Sequence, residues 1–330
     1  GISTTGIVQN NFKFGIVIPP GDSSITFTPT DTSGGGSIKL RGTGTIELST
    51  AAASGLLLDL YSDDVVAAYS LRKLSTSYGV EGKAIRIRRT NDNAETDIGF
   101  DSEGNLDTST LLTFVGTGND GHIVTWYDQS GNGRNATNST NSEQPLIAES
   151  ANPSFPPSIV GINGKPTIKN GGAVTSRILA SNLPLVTQPM TFFDVFAEQR
   201  TSGAAFFNLV FNGQLSSAKP TATIKTMRQS TPNMSALFTS NTSGDQQTTT
   251  TTGTPDDTLL HVNTTMVNEG ESIFRVDQSD LSIVATIPAS TPVANASFGG
   301  SASGAGAEIK FNQQTFLSEI IIYNANKASD

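Results

Sequence analysis

Short runs of alternating apolar and polar residues, each closed within about ten residues by Gly, Pro, Asn or Asp, constrain this chain more than any other feature. "MTFFDVFAEQ", "AAFFNLVFN", "TATIKTMRQ", "MSALFTS", "LLHVNTTMV", "SIFRVDQ", "LSIVATI", "AEIKFN" and "FLSEIIIYN" are all of this kind. A side chain on a strand changes face at every residue, so such runs can bury one face against a core and leave the other for water. Charged residues make up only 15% of the chain and Gly, Ser, Thr and Asn fill the difference, so the usual helix-sustaining residues are scarce. The expectation is an all-β chain. About a dozen short strands at this spacing predict an antiparallel sandwich.

Two segments differ in density. Residues 1–58 carry "FKFGIVIPPG", "SITFTPT", "SIKLRG" and "TIELST", separated by "PPGD", "DTSGGG" and "GTG". With few large apolar residues, they predict a thin β segment for attachment or oligomerisation that packs on a partner, on copies of the same chain or on the main domain. Residues 59–330 are expected to form the sandwich. Within it, "DVVAAYSLRKL" fits a helix or a strand, and periodicity alone does not choose. "NLDTSTLLTFVG" is the clearest helix, with Asp107 or Thr108 as its cap, Leu111, Leu112 and Val115 as its apolar stripe, and Gly116 as its stop. "GHIVTWYDQ" reads as a strand. "DQQTTTTTTGTPDD" and "SFGGSASGAGAE" read as loops.

A formal net charge of −9 argues against nucleic acid as a partner, because phosphate binding needs clustered cations. The one basic cluster, "AIRIRR", alternates Arg86 and Arg88 with Ile85 and Ile87, and so predicts two arginines on the solvent face of a strand. There is no run of about 18 apolar residues, hence no helical membrane span is expected. Without cysteine there are no disulfides, thiolate metal sites or cysteine nucleophiles.

The stretch "TWYDQSGNGRNAT" holds the single tryptophan. Asp128, Ser130, Asn132 and Gly133 follow the first half of a calcium loop, yet Ser139 stands where a bidentate glutamate should close the shell. At best this is a weak Ca²⁺ site. The competing reading is a turn in which Asp128 caps backbone amides while Gly131 and Gly133 adopt positive φ. Trp126 and Tyr127 should face opposite sides of a strand. One of them then meets the core, and the other sits beside Asp128, Gln129 and Asn132 in the composition of a sugar-stacking rim. Trp126, Tyr127, Asp128, Gln129 and Asn132 are therefore the candidate ligand residues. His122 and His261 fit ordinary strand positions. The acidic pairs Asp63–Asp64, Asp256–Asp257 and Glu269/Glu271 fit solvated loops, and six Asn-x-Ser/Thr sequons are expected by chance in a chain this rich in Asn and Thr.

In order, "AAYSLRKLSTSY", "IRIRRTNDNAETDIGF", "GNLDTSTLLTFVG", "HIVTWYDQSGNGRNATN", "INGKPTI" and "LSEIIIYN" resemble the arabinofuranosidase B-like module, a concanavalin-like sandwich. They resemble most its versions in phage tail-fibre and virion-surface proteins. The resemblance implies a jelly-roll-like pair of curved antiparallel sheets. It also implies a virion structural protein, in a tail fibre or a capsid decoration, that is homo-oligomeric or bound to other virion proteins and touches host glycans. A secreted carbohydrate-binding module is the extracellular alternative. The enzymes of the family use a glutamate nucleophile and an aspartate acid, and the nearest segment by order, "AAFFNLVFNGQL", has Asn208 and no carboxylate. The resemblance therefore assigns no catalytic residue here. A hydrolase would have to draw on Asp194, Glu198 or Glu319.

Overall fold

The computed structural model describes residues 55–78, 82–154 and 156–170 and, in the second half, chiefly the strands between 178 and 327. The chain divides into units Gly1–Gly55 and Leu56–Asp330, and every element below lies in the second. The strand signals before residue 51 and "AEIKFN" lie outside the described residues. The described residues of the second unit form an all-β antiparallel sandwich.

"DVVAAYSLRKL" forms a strand, β1 (Val65–Ser70). Nearly all of it is buried, as suits Val65, Val66 and Tyr69, whose stiff or bulky side chains pack well on a pleated surface. β1 pairs with Gln314–Tyr323, which pairs with Met190–Gln199, and the ladder continues through His261–Val267, Ser272–Val276 and Ser279–Ile283. The facing layer starts with β2 (Lys83–Arg89), β3 (Glu95–Gly99) and β4 (Gly121–Trp126), in the spatial order β3-β2-β4. It runs on through Ala136–Thr137, Ile178–Ser181 and Ala296–Phe298 to Phe206–Asn212, Thr223–Gln229, Asn233–Thr239 and Gln246–Thr250. One corner joins the layers, where Ile168–Asn170 pairs both with Gln314–Tyr323 and, at Lys169↔Leu146, with Leu146–Glu149.

The core fills the space between the layers. Tyr69, Phe192, Phe196, Ile320 and Ile322 come from the first layer and Ile85, Ile87, Ile98, Ile123 and Trp126 from the second. A smaller cluster lies on the outer face of the first layer. There Leu58, on the helical turn Leu57–Leu60, packs with Ala68, Leu74, Ile321 and Tyr323. The expected helix spans Thr108–Val115. Asp107 caps it by accepting from the Thr110 amide at 3.0 Å, and Gly116 closes it at φ 71°. Leu111 and Val115 join the main core.

Two expectations fail. The Gln- and Thr-rich tract is not all loop, since Gln246–Thr250 is a strand paired with Asn233–Thr239. Thr is a good strand residue, and a neighbouring strand supplies the hydrogen bonds that sequence alone does not reveal. Arg88 is the second. Arg86 stays half-exposed as expected, but Arg88 is only 5% exposed because the turns at Asn93 and Asn141–Gln144 close over it. Its guanidinium donates to Gln144 Oε1 at 2.7 Å, Asn93 Oδ1 at 2.9 Å and Asn141 O at 3.1 Å.

Candidate functional site

Among the described residues β1 pairs with one strand, Gln314–Tyr323. Its other edge would leave backbone groups unpaired, and "YDQSGNGRN" satisfies them mainly with side chains. Asp128 Oδ1 accepts from Ala68 N at 2.9 Å, and the Gln129 amide donates to Ala68 O at 2.7 Å. Gln129 Oε1 accepts from Leu74 N at 2.8 Å, while its Nε2 donates to Ser70 O and Arg72 O, each at 3.0 Å. Asn132 Nδ2 reaches Val65 O and Val66 O, and Arg134 Nη1 donates to Val66 O. A loop thus takes the place of a strand along this edge.

The same loop is internally tied. Asp128 also accepts from Ser130 N, Ser130 Oγ and Arg134 N, all at 2.9 Å, so that four donors share its two oxygens. Gly131 and Gly133 have φ of 85° and 70°. This is the turn reading. The Asp128 carboxylate is taken up by Ser130, Arg134 and β1, the Ser130 hydroxyl donates to it, and Asn132 is tied to β1 through its Nδ2. Among the described residues no three His, Cys, Asp or Glu side chains come together as a metal site. Trp126 has no exposure and packs against Tyr69 with ring centroids 5.7 Å apart. Asp128 and Gln129 are buried as well, and only Tyr127 and Asn132 reach the surface.

Tyr127 points away from Trp126, as period two requires. Its hydroxyl donates to Asp97 Oδ1 at 2.7 Å, where Arg86 Nε also donates at 2.8 Å. The Lys83 ammonium lies 5.6 Å from the ring centroid. Burial would raise the Asp97 carboxyl, but hydrogen bonds from Tyr127 and Arg86 and the two cations outweigh it and hold the group below its ordinary value. Burial, and then the bond to Asp97, pushes the Tyr127 phenol up, so it remains a neutral donor.

A groove of about 330 Å³ opens on the outer face of the first layer. Phe193, Val195, Val262, Ile321 and Tyr323 are among its lining residues, and Leu57 and Tyr61 stand beside them. Tyr61 is 42% exposed and Val262 is 47% exposed. The Tyr323 hydroxyl donates to Tyr61 O at 2.9 Å and fixes the turn that carries Tyr61. Charges also line the groove. Arg72 grips Glu319 with two bonds, Nε to Oε2 at 2.8 Å and Nη2 to Oε1 at 2.9 Å, and Ser70 Oγ adds a third donor to Oε2 at 2.8 Å. Lys327 lines the same space, with its Nζ 5.7 Å from the Tyr323 ring centroid.

Of the carboxylates a hydrolase could use, Glu319 lines this groove, whereas Asp194 does not. Val195 pairs with Glu319 on the outer face, and Asp194, one residue earlier, points inward with Phe192 and Phe196. It is 1% exposed and accepts from Asn263 Nδ2 at 3.1 Å. Burial, opposed by that bond, pushes its carboxyl up to about 7. The side chains of Glu198 and Asn208 lie outside the described residues. His122, on β4, meets Gln144 O through Nδ1 at 3.0 Å, and burial pushes its pKa down. His261 packs on Phe196 at 6.1 Å between ring centroids.

Tyr61, Arg72, Tyr323 and Lys327 were not among the residues the sequence singled out. Alternation in "SEIIIYN" does put Glu319, Ile321 and Tyr323 on one face. The apolar run hides it, because Ile320 and Ile322 make both faces look like core.

No family model and no curated protein matches the chain in sequence. Among solved structures, a GH54 α-L-arabinofuranosidase soaked with a cyclic sulfate inhibitor superposes with a TM-score of 0.55 at 14% identity, covering 81% of this chain and 61% of that one. An arabinofuranosidase complexed with arabinofuranosyl-α-1,2-xylobiose gives 0.53 at 16% identity, covering 82% and 61%. These likenesses are of fold, and the class they define is that of the antiparallel β-sandwiches. The chain spans about three-fifths of the length of those two enzymes.

Proposed function

We propose that this chain is a glycan-recognition sandwich that binds sugar in the outer groove without hydrolysing it. The observation that carries the reading is the groove itself, where the exposed Tyr61 ring stands beside Tyr323 and Phe193 and charged donors lie within the same space. Sugar C–H faces pack on aromatic rings while hydroxyls take hydrogen bonds from fixed polar groups. Retaining hydrolysis needs two carboxylates about 5 Å apart. Glu319 is engaged by three donors and Asp194 stands on the opposite face of the sheet, which favours binding over turnover. The ordered resemblance to tail-fibre and virion-surface sandwiches supports a place on the outside of a virus particle, with neighbouring virion proteins or copies of the chain as partners.

A glycan array with the full chain tests the reading. Tyr61→Ala removes the ring and leaves the backbone oxygen that holds Tyr323, so it should weaken binding roughly tenfold while leaving the fold intact. A chain that retains no glycan would overturn the reading, as would a Tyr61→Ala variant that binds as well as the parent. Hydrolysis of aryl arabinofuranosides, abolished by Glu319→Gln, would establish the enzyme reading in its place.

A further inference from the structure

We infer that the groove is built for a carboxylated sugar, a uronic or sialic acid residue, whose carboxylate sits against Arg72 while its ring lies on Tyr61. This rests on the glycan-binding reading. Arg72 and Lys327 both line the groove against a single carboxylate, Glu319, so the lining is net positive in a chain of net charge −9.

The hydrogen-bonding inventory points the same way. A guanidinium has five N–H donors in a planar fork. Glu319 takes one from Nε and one from Nη2, which leaves three on an Arg72 side chain that is 51% exposed. Glu319 itself offers little. Its side chain is 10% exposed, Oε2 already accepts from Arg72 and Ser70, and Oε1 accepts from Arg72. The Arg72–Glu319 pair thus offers open donors and few open acceptors. A neutral sugar presents hydroxyls, and their O–H donors would find few open acceptors on Arg72 or Glu319. A carboxylate only accepts, and it fits a guanidinium edge through charge-assisted bonds. The exposed Tyr61 ring remains for the sugar ring.

Matched pairs separate the alternatives. The full chain is titrated calorimetrically with galacturonotriose and its carboxyl-reduced form, and with sialyllactose and lactose. The expected result is that an acidic member of at least one pair binds roughly tenfold or more tightly than its neutral counterpart. The preference should shrink as salt is raised. It should fall in Arg72→Lys, which keeps the charge beside Glu319 but loses the fork, and in Lys327→Gln. Unfolding followed through Trp126 fluorescence verifies that both variants are folded. Binding by the galacturonate pair alone assigns a uronic acid, and binding by sialyllactose alone a sialic acid. If neutral members bind as well as acidic ones, this inference falls and the glycan reading stands. If none of the four saccharides binds, this inference falls, and the glycan array decides the broader reading.

Discussion

Replacing Asp128 should damage the fold rather than any ligand contact, and the size of the damage follows from its partners. In Asp128→Ala the Ala68 amide loses its acceptor in a residue with no exposure, and an orphaned buried N–H costs about 1–3 kcal/mol. The Ser130 and Arg134 amides are less buried and can turn to water, so each adds about 0.5–1 kcal/mol. The total is about 2–5 kcal/mol, a large share of the about 5–15 kcal/mol that holds an ordinary domain together. Asp128→Asn keeps one oxygen for Ala68 and Ser130 but turns an NH₂ toward the Arg134 amide and the Ser130 hydroxyl. It should cost less, about 1–3 kcal/mol. Urea unfolding followed by fluorescence is the assay. Trp126 is the only tryptophan and is fully buried beside Tyr69, so the signal comes from the core two residues from the substitution. An alanine variant within about 0.5 kcal/mol of the parent would refute the edge-capping argument. So would lost glycan binding at an unchanged midpoint, which would make Asp128 a ligand residue after all.

Asp194 gives a pH dependence with a definite sign. Its folded pKa is raised to about 7 from the ordinary 3.8, so the native state favours the neutral acid. The stability this contributes is fully present below 3.8 and is lost as pH rises through about 7. Asp194→Asn, which cannot ionise, should flatten that part of the stability–pH curve and melt higher than the parent at pH 8. An unchanged curve would contradict the assignment. Arg88→Ala removes three hydrogen bonds from a buried guanidinium and leaves the buried Gln144 without its donor, so about 2–4 kcal/mol should be lost in the same urea assay.

The elements legible in the sequence were those whose information is local. The helix Thr108–Val115 could be read because its cap, stripe and stop lie within ten residues of one another. The strands could be read because alternation is a nearest-neighbour property. Arg88 could not, since its burial depends on Asn141 and Gln144 more than fifty residues later. The groove was hidden for a related reason. Tyr61, Arg72, Phe193, Val262 and Tyr323 come from four separate segments, and only the pairing of Gln314–Tyr323 between β1 and Met190–Gln199 brings them to one face.

The candidate ligand residues and the groove are nonetheless parts of one construction. Gln129 takes the carbonyls of Ser70 and Arg72 and the amide of Leu74, and so fixes the backbone on either side of Arg72. Asp128 and Asn132 hold the strand that leads into it. Ser70, whose carbonyl is held by Gln129, turns its hydroxyl to Glu319 and orients the carboxylate that Arg72 grips from the other side. A loop rich in Asp, Gln, Ser and Asn can thus look like a sugar site in sequence because edge capping and sugar binding ask for the same groups, short planar side chains that donate and accept. Burial separates the two uses. On the core side of the loop the amides are consumed by β1, and across the sheet the guanidinium positioned by that edge keeps donors to spare.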